Sequence, residues 1–292
     1  MKGRLVFLGV LLLIAPMIGA EPYSASDDSW EGVGYLEATG EEARVSVKRP
    51  QRLDLSKLVP GDVLLWLYPR DAMPTPDLMA FIREGGHVIL ADDEGASLSF
   101  LNAVGLKRER FTRGMLDAAG VDFYRDLPHL PVLEVPPGHF LFFNVEEVVA
   151  NHGSVLRGAG DVVLPLGDAG DGGLIVEVAM GAGALLAIGD PSMFLNAMLR
   201  RFYGNKQLAA NLMRYYCASD PCSLTLVTPT TEIRGSYRAG VNRFGEFPRV
   251  LERAIEVVNQ SLSRLDTRLG TAPVPFLLVL FVLVLCALQL RW

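Results

Sequence analysis

The segment 184–216, ALLAIGDPSMFLNAMLRRFYGNKQLAANLMRYY, constrains the fold more than any other part of the chain. It opens with the apolar run 184–188, which is too short for a helix and therefore predicts a buried strand. Asp190-Pro191 follows, and this pair is expected where a helix begins, because the carboxylate accepts free backbone N–H groups and proline loses no hydrogen bond there. With a helix interrupted at residues 204–205, the segment predicts a strand, an acidic turn and two helical runs.

The same alternation of strand and helix occurs earlier in the chain. Residues 62–68, DVLLWLY, form a continuous apolar run typical of a strand buried on both faces of a parallel sheet, and 75–83 predicts the helix that follows it. A strand at 87–91 and a helix at 97–104 repeat the pattern. The sequence therefore predicts an α/β fold with a doubly wound, mostly parallel sheet.

Further elements have weaker patterns. A helix at 30–39, ended by Gly40, is expected near the start, and the glycine-containing turn 180–183 should join strands 174–179 and 184–188 in a hairpin. The remaining predicted strands are 43–47, 132–135, 139–143, 161–166 and 224–227, and residues 107–159 are predicted to form an excursion from the sheet.

Two apolar segments predict export and membrane attachment. Residues 1–20 place Lys2 and Arg4 before an apolar run, which is the plan of a secretory signal, with a retained N-terminal anchor as the alternative. Residues 274–290 carry no charge and would span about 25 Å as a helix, adequate for a bilayer, with a buried globular helix as the alternative. We expect a signal peptide at 1–20, an α/β domain at 21–228, a linker and juxtamembrane helix at 229–272 and a transmembrane anchor at 273–292.

This organisation places the domain outside the cytoplasm, in the periplasm if the cell is Gram-negative, on a single-pass membrane protein. The charge pattern around the span disagrees, since Arg264 and Arg268 precede it and only Arg291 follows it. We give the signal more weight, because charge bias is weak evidence once a domain is exported. The net charge of −6 gives no reason to expect nucleic acid or anionic lipid as a partner.

A heptad seam precedes the predicted anchor. Leucine, isoleucine and valine recur in steps of four and three from Leu251 to Leu269, which predicts a helix with one apolar stripe. The stripe is too short to decide between packing on its own domain and pairing with a second copy. A homo-oligomer formed through residues 251–269 therefore stays open.

Two of the three cysteines are close in sequence. Cys217 and Cys222 bracket a short loop, whereas Cys286 lies in the predicted span. In an oxidising compartment the pair predicts a disulfide. A redox or zinc pair would need a C-x-x-C spacing or two more ligands, and the sequence has neither.

Acidic and amide side chains follow the predicted strands, where ligands gather in an open α/β sheet. The candidate ligand-binding residues are Asp92, Asp93, Asp190 and Asn196. Clustered carboxylates could bind a divalent cation or act as acid and base, which would suit a metal-assisted hydrolase. The simpler interpretation is that each carboxylate caps the helix that it precedes, and for Asp190 we favour the cap.

Other catalytic signatures are weak in this sequence. The four histidines, at 87, 129, 139 and 152, lack the spacing of a metal site. The sequence Gly95-Ala-Ser97-Leu-Ser99 follows a strand but lacks the second glycine of a nucleophile elbow. No phosphate-binding glycine motif occurs, so no cofactor is expected.

Residues 62–93 and 183–212 together resemble the family called domain of unknown function 4350. The shared features are Gly85-Gly86 between a helix and a strand, Gly189-Asp190-Pro191, and asparagines at positions 196 and 205. That family is similar to the class I glutamine-amidotransferase fold and to the soluble part of uncharacterised proteins associated with ABC transporters. The resemblance implies a doubly wound sheet over about residues 26–216.

An active amidotransferase needs a nucleophilic cysteine in a glycine-rich elbow and a later catalytic histidine. Here the strand 87–91 is followed by Asp92-Asp93-Glu94-Gly95, with no cysteine. The resemblance therefore implies the fold without its chemistry. We expect a non-catalytic binding or scaffolding domain of a cell-envelope assembly with protein partners, a transporter being one candidate partner, and the metal-assisted hydrolase is the alternative.

Overall fold

The computed structural model describes residues 22–24, 28–166, 172–217 and 222–240. The helices are α1 (Tyr35–Glu42), α2 (Thr75–Arg83), α3 (Leu98–Ala103), α4 (Arg113–Ala118), α5 (Asn196–Arg201) and α6 (Tyr203–Tyr215). The strands are β1 (Val45–Lys48), β2 (Arg52–Asp54), β3 (Val63–Leu67), β4 (His87–Ala91), β5 (Leu106–Arg110), β6 (Asp122–Phe123), β7 (Pro131–Glu134), β8 (Glu147–Val149), β9 (Ser154–Gly158), β10 (Asp161–Pro165), β11 (Gly172–Met180), β12 (Gly183–Ile188), β13 (Cys222–Val227) and β14 (Glu232–Arg234).

One large sheet organises the fold. Its strand order is β1-β13-β3-β4-β12-β11-β9-β5, and β10 pairs with β11. The first five of these strands are parallel, whereas β11, β9 and β5 each run antiparallel to the neighbour before them. The prediction of an α/β fold with a mostly parallel central sheet is confirmed.

Hydrophobic cores lie on both faces of this sheet. All five residues of β3 are buried, and alternate residues face opposite sides. Leu65 and Leu67 pack with helices α1, α5 and α6 on the first face, whereas Leu64 and Trp66 pack with α2 and α3 on the second. Each fully buried side chain of this size contributes about 1.5–3 kcal/mol, which explains why these strands are continuously apolar.

The central elements match the sequence-based bounds closely. Strand β4 and helix α2 begin and end at the predicted residues, and β11 pairs with β12 in the predicted hairpin. Gly85 adopts a φ of +109°, and a β-carbon on Gly86 would collide with the ring of Phe81. Both glycines are therefore required where α2 turns into β4.

Other elements differ from the prediction for identifiable reasons. Helix α1 begins at Tyr35 rather than residue 30 and continues through Gly40, where a β-carbon would lie 2.9 Å from the carbonyl oxygen of Val45. Gly40 thus permits close helix–sheet packing and does not end the helix. Residues 139–143 are not a strand: His139 Nδ1 accepts a hydrogen bond from the Leu141 N–H and begins a 3₁₀ turn.

The segment 107–159 contains more regular structure than expected. Strands β5 and β9 complete the far edge of the large sheet, and β6, β7 and β8 form a separate three-stranded sheet. The break between α5 and α6 falls at Phe202, and Gly204 and Asn205 lie in the first turn of α6. Strand β14 pairs with β2, and the Tyr237 ring packs on Phe81, which extends the packed unit beyond residue 228.

Several predicted segments lie outside the described residues: the signal at 1–20, the heptad seam at 251–269 and the anchor at 273–292. Within the described ranges, no helix combines the length and the hydrophobicity needed to cross a bilayer.

Candidate functional site

The candidate site lies at the carboxyl edge of the sheet, where β4 and β12 end side by side. The chain leaves β4 toward α3 on the second face and leaves β12 toward α5 on the first face. Ligands of open α/β sheets bind in the crevice created by such a change of direction. Asp92 and Asp93 follow β4 and Asp190 follows β12, so the structure brings these three predicted residues to one edge of the sheet, where a crevice of this kind is expected.

Asp92 is almost completely buried and is bonded within the fold. Its Oδ1 accepts a hydrogen bond from the Gly95 N–H at 2.6 Å, and its Oδ2 accepts from the Ser97 N–H at 3.2 Å. The same Oδ2 forms short contacts with the Ser97 hydroxyl and with Nη1 of Arg108. The carboxylate therefore holds the turn into α3 and neutralises a buried guanidinium.

Arg108 was not among the predicted site residues. It lies on β5, and its Nη2 donates to the carbonyl oxygen of Gly95 at 3.1 Å. Gly95 has no room for a side chain, since a β-carbon would lie 2.6 Å from both Asp92 Oδ1 and the Pro69 carbonyl oxygen. Arg108 lies in the charged stretch LKRER, and nothing in this stretch distinguishes Arg108 as the member of a buried ion pair.

Asp190 is fully buried and caps the 3₁₀ turn Pro191–Phe194. Its Oδ1 accepts from the Ser192 N–H at 2.8 Å, and its Oδ2 accepts from the Asn151 N–H at 2.5 Å. Burial raises the pKa of Asp190 to about 7, although both hydrogen bonds favour the ionised form. The side chain thus joins the β12 turn to the loop before β9.

Asp93 is half-buried and accepts a hydrogen bond from the Glu94 N–H at 2.8 Å. Burial raises the pKa of Asp93 to about 6, and the neighbouring Asp92 carboxylate adds to the increase. The backbone carbonyl oxygen of Asp93 accepts a hydrogen bond from the Ser154 hydroxyl at 3.2 Å, but among the three predicted carboxylates that of Asp93 is the one with no described hydrogen bond to a distant part of the fold. It is therefore the most available for a ligand.

Two tyrosines lie next to these carboxylates. The rings of Tyr23 and Tyr68 stack with their centroids 5.1 Å apart, and both residues have positive φ angles, +64° and +44°. The Tyr23 hydroxyl bonds with Ser192, and burial raises the pKa of Tyr23. Burial also raises the pKa of Tyr68, and the negative charge of Asp93 adds to this. Positive φ in non-glycine residues is uncommon and often marks a functional site.

Sequence reasoning missed Tyr23 as a site residue, because no sequence pattern around Tyr23 predicts its contact with Tyr68, the residue after β3. Tyr68 was visible as the last residue of the run 62–68 at the edge where ligands bind, which is a usable signal.

The side chain of Asn196, a candidate ligand-binding residue, forms hydrogen bonds with the protein backbone. Its Oδ1 accepts from the Tyr35 N–H at 2.8 Å and its Nδ2 donates to the Ser29 carbonyl oxygen at 2.7 Å. Asn205 similarly bonds to both backbone groups of Val149 at 2.8 Å. Both asparagines attach distant backbone segments to the helices that follow β12.

The described residues contain no group of three or more histidine, cysteine, aspartate or glutamate side chains placed to hold a metal ion. Cys217 and Cys222 form the expected disulfide, which joins the end of α6 to the start of β13. The prediction of a disulfide is confirmed.

An open cleft of about 660 Å³ lies farther along the same edge, beside the ends of β1 and β13. Its charged side chains are paired, with Arg52 bonded to Glu232 at 2.8 Å and Arg49 bonded to Glu37. The hydroxyl groups of Thr228 and Thr230 lie 3.1 Å apart. This cleft does not include the carboxylates of the candidate site.

Solved structures offer only distant similarity. The mmIFT52 N-terminal domain is 15% identical, with 55% of this chain and 78% of that chain covered and a TM-score of 0.42. A β-galactosidase from Bacillus circulans sp. alkalophilus is 12% identical over 53% of this chain and 22% of its own, with a TM-score of 0.36. An exo-β-1,4-mannosidase from Opitutaceae bacterium strain TAV5 is 10% identical over 63% and 30%, with a TM-score of 0.40.

At these TM-scores the similarities carry no argument about this chain. No curated protein matches it. A family model, by contrast, matches residues 25–213, which include every strand of the large sheet except β13, the loops after β4 and β12, and α6 up to its last turn. The chain therefore belongs to the family described as domain of unknown function (DUF4350).

Proposed function

We propose that this protein is a non-catalytic binding or scaffolding domain of a cell-envelope assembly, held at the outer surface of a membrane by residues 273–292. One observation carries the proposal: Asp92 and Asp190, two of the three carboxylates that follow β4 and β12, use their oxygens to hold the fold. Asp92 bonds to Arg108 and to the turn into α3, and Asp190 bonds to two backbone N–H groups.

The proposed architecture is that of the class I glutamine amidotransferases without the chemistry. Helices on both faces of a parallel sheet, and a crevice between β4 and β12, support it. The turn after β4, where such an enzyme carries its nucleophile, here carries Asp92-Asp93-Glu94-Gly95. Gly95 and Ser97 serve the Asp92 ion pair instead.

The proposed location rests on the sequence and the disulfide. An apolar signal at 1–20 and an uncharged run at 274–290 predict export and anchoring. The Cys217–Cys222 disulfide supports this placement, because disulfides persist in oxidising compartments.

A specific observation favours the alternative, a metal-assisted hydrolase. Asp93 and Asp190 lie at a ligand-binding position of the fold, and burial raises the pKa of both, to about 6 and about 7. Two carboxyl groups that titrate near neutral pH could divide acid and base roles.

Calorimetry with Mg²⁺, Mn²⁺ and Zn²⁺ separates these functions. We expect no tight, stoichiometric uptake by the detergent-solubilised full chain, and the same result for Asp93→Asn, which keeps the shape of the side chain. Stoichiometric binding in the wild type that disappears in Asp93→Asn would establish the alternative. Glu146→Gln, at an exposed carboxylate remote in sequence, controls for nonspecific loss of charge.

Crosslinking in native membranes tests the binding role directly. We expect specific protein partners to be captured by the wild type, and mass spectrometry would identify them. A chain that crosslinks to itself alone would support the homo-oligomer through residues 251–269 instead.

A further inference from the structure

Arginine side chains stack on aromatic rings over α5 and the start of α6. The Arg200 guanidinium lies 5.1 Å from the centroid of the Tyr35 ring. Arg201 lies 5.2 Å from the Tyr124 ring and 5.8 Å from the Phe202 ring. Both arginines are exposed, so their N–H groups remain accessible while the aromatic rings restrict their orientation.

These two arginines carry uncompensated charge. Within the described ranges, neither Arg200 nor Arg201 forms an ion pair. Lys206 provides a contrast, because it also lies over the Tyr35 ring, at 5.6 Å, but is paired with Glu42 at 2.8 Å. The net charge of −6 describes the whole chain and does not exclude two cations without a described ion pair on one helix.

Two large aromatic side chains extend the same surface. Trp30 is 68% exposed, and its carbonyl oxygen accepts a hydrogen bond from the Ala197 N–H at 3.1 Å, which places it beside α5. Ala197, Arg200 and Arg201 share one face of that helix by their spacing of three and four residues. Tyr203, 70% exposed, lies one turn before Lys206 on α6.

The chemistry of this arginine–aromatic surface, comprising Trp30, Tyr35, Tyr124, Arg200, Arg201 and Tyr203, fits the headgroup region of a bilayer. One guanidinium group can donate hydrogen bonds to two phosphate oxygens at once, and exposed tryptophan and tyrosine prefer the interface between water and lipid. Because charges farther away than about 8–10 Å are screened, the acidic remainder of the domain does not cancel this attraction.

We propose that the arginine–aromatic surface docks the domain on anionic phospholipid headgroups. The inference rests on the proposed anchoring, which would keep the domain next to a bilayer and make a weak surface contact sufficient. It differs from the expectation drawn from net charge, which gave no reason to expect anionic lipid as a partner.

The experiment uses the full chain reconstituted in vesicles, with Trp30 as the reporter. The difference between the emission of the wild type and that of Trp30→Phe isolates the signal of this residue from Trp66 and Trp292. One set of vesicles contains phosphatidylcholine with brominated phosphatidylglycerol, and the other contains brominated phosphatidylcholine only, so that bromine is present in both. Quenching then reports contact between Trp30 and lipid.

We expect Trp30 to be quenched in the phosphatidylglycerol vesicles and not in phosphatidylcholine. The quenching should be lost in Arg200→Glu/Arg201→Glu. It should remain in Arg83→Glu/Lys107→Glu, which makes the same charge change at exposed positions of α2 and β5. Arg200→Lys/Arg201→Lys should keep part of it, since lysine retains the charge without the planar stacking. Unchanged thermal unfolding verifies that each variant is folded.

Equal quenching in the wild type and in Arg200→Glu/Arg201→Glu would contradict the inference. Absence of quenching in a chain that stays in carbonate-washed vesicles would contradict it too, and would leave the surface to an acidic protein partner. A chain that carbonate removes from the vesicles would contradict the anchoring itself, a result distinct from both.

Discussion

Burial disfavours the ionised form of the Asp93 carboxylate, and this carboxylate has no described hydrogen bond to a distant part of the fold. Burial and the Asp92 charge raise the pKa of Asp93 to about 6, against about 3.9 for an unperturbed aspartate. Between these values the native state holds a proton that the unfolded chain has released. The contribution of Asp93 to stability is thus complete below about pH 4 and is lost as the pH rises toward 6.

Asp93→Asn should remove this loss of stability with rising pH. The variant should be more stable than the wild type at pH 7, by about 1 kcal/mol after allowance for partial solvent screening, and equal to it near pH 4. Urea unfolding from pH 4 to pH 8 measures the difference, with Glu146→Gln as a control that leaves the profile unchanged. A wild-type profile that Asp93→Asn does not alter would refute this account of the crevice.

Arg108 and Asp92 form an ion pair in which each charge offsets the free-energy cost of burying the other. Arg108→Met leaves the Asp92 carboxylate buried without its cation and should cost about 3–5 kcal/mol. Asp92→Asn/Arg108→Met should cost less than Arg108→Met, since no lone charge remains. Arg157→Met, which removes an exposed partner of Glu109 on the neighbouring strand, should cost less than about 1 kcal/mol. Denaturant unfolding of the wild type, Asp92→Asn, Arg108→Met and their double variant gives the coupling energy of the pair. Equal losses in Arg108→Met and Arg157→Met would argue against a structural ion pair.

At the scale of elements, the disulfide connects a surface helix to the middle of the sheet. Cys217 follows α6 and Cys222 opens β13, which lies between β1 and β3. Closing so short a loop stabilises the fold by about 2 kcal/mol on the chain-entropy model. The hydroxyls of Tyr215 and Tyr216 bond to Glu177 of β11, so α6 keeps a second attachment when the disulfide is absent.

Cys217→Ser/Cys222→Ser should therefore stay folded and lose about 2 kcal/mol of unfolding free energy. Dithiothreitol should lower the urea midpoint of the wild type to that of the double variant and leave the double variant unaffected. Cys286→Ser should behave as the wild type. If the reductant has no effect on the wild-type midpoint, the disulfide does not contribute to stability.

The sequence predicts those elements whose causes are local. Strands β3 and β4 have uninterrupted apolar runs, helix α2 ends before Glu84-Gly85-Gly86, and the bounds of all three were predicted closely. Strand β13 was only a weak prediction, because its central position depends on pairing with β1 and β3, which are distant in sequence. Helix α1 was misplaced because Gly40 serves close packing rather than a helix end.

The same distinction applies to the candidate site. Asp92, Asp93 and Asp190 were found because they directly follow strands, and the fold brings strand ends together. Arg108 and Tyr23 reach this edge of the sheet through tertiary contacts, with Asp92 and with the ring of Tyr68, that no local pattern encodes. Local patterns thus find where a site lies, and long-range contacts decide what its side chains do.

For the whole molecule, the strongest prediction concerns attachment of the chain to a membrane. Residues 274–290 carry no charge over a length adequate for a bilayer. The full chain should therefore remain in membranes washed with alkaline carbonate, whereas a chain ending at residue 268 should be released in folded form. The full chain should also be digested by protease added outside intact spheroplasts, because the disulfide and the predicted signal favour a domain outside the cytoplasm. A truncated chain that still resists carbonate would show that another part of the protein provides the attachment, and protection from external protease would place the domain on the opposite side of the membrane.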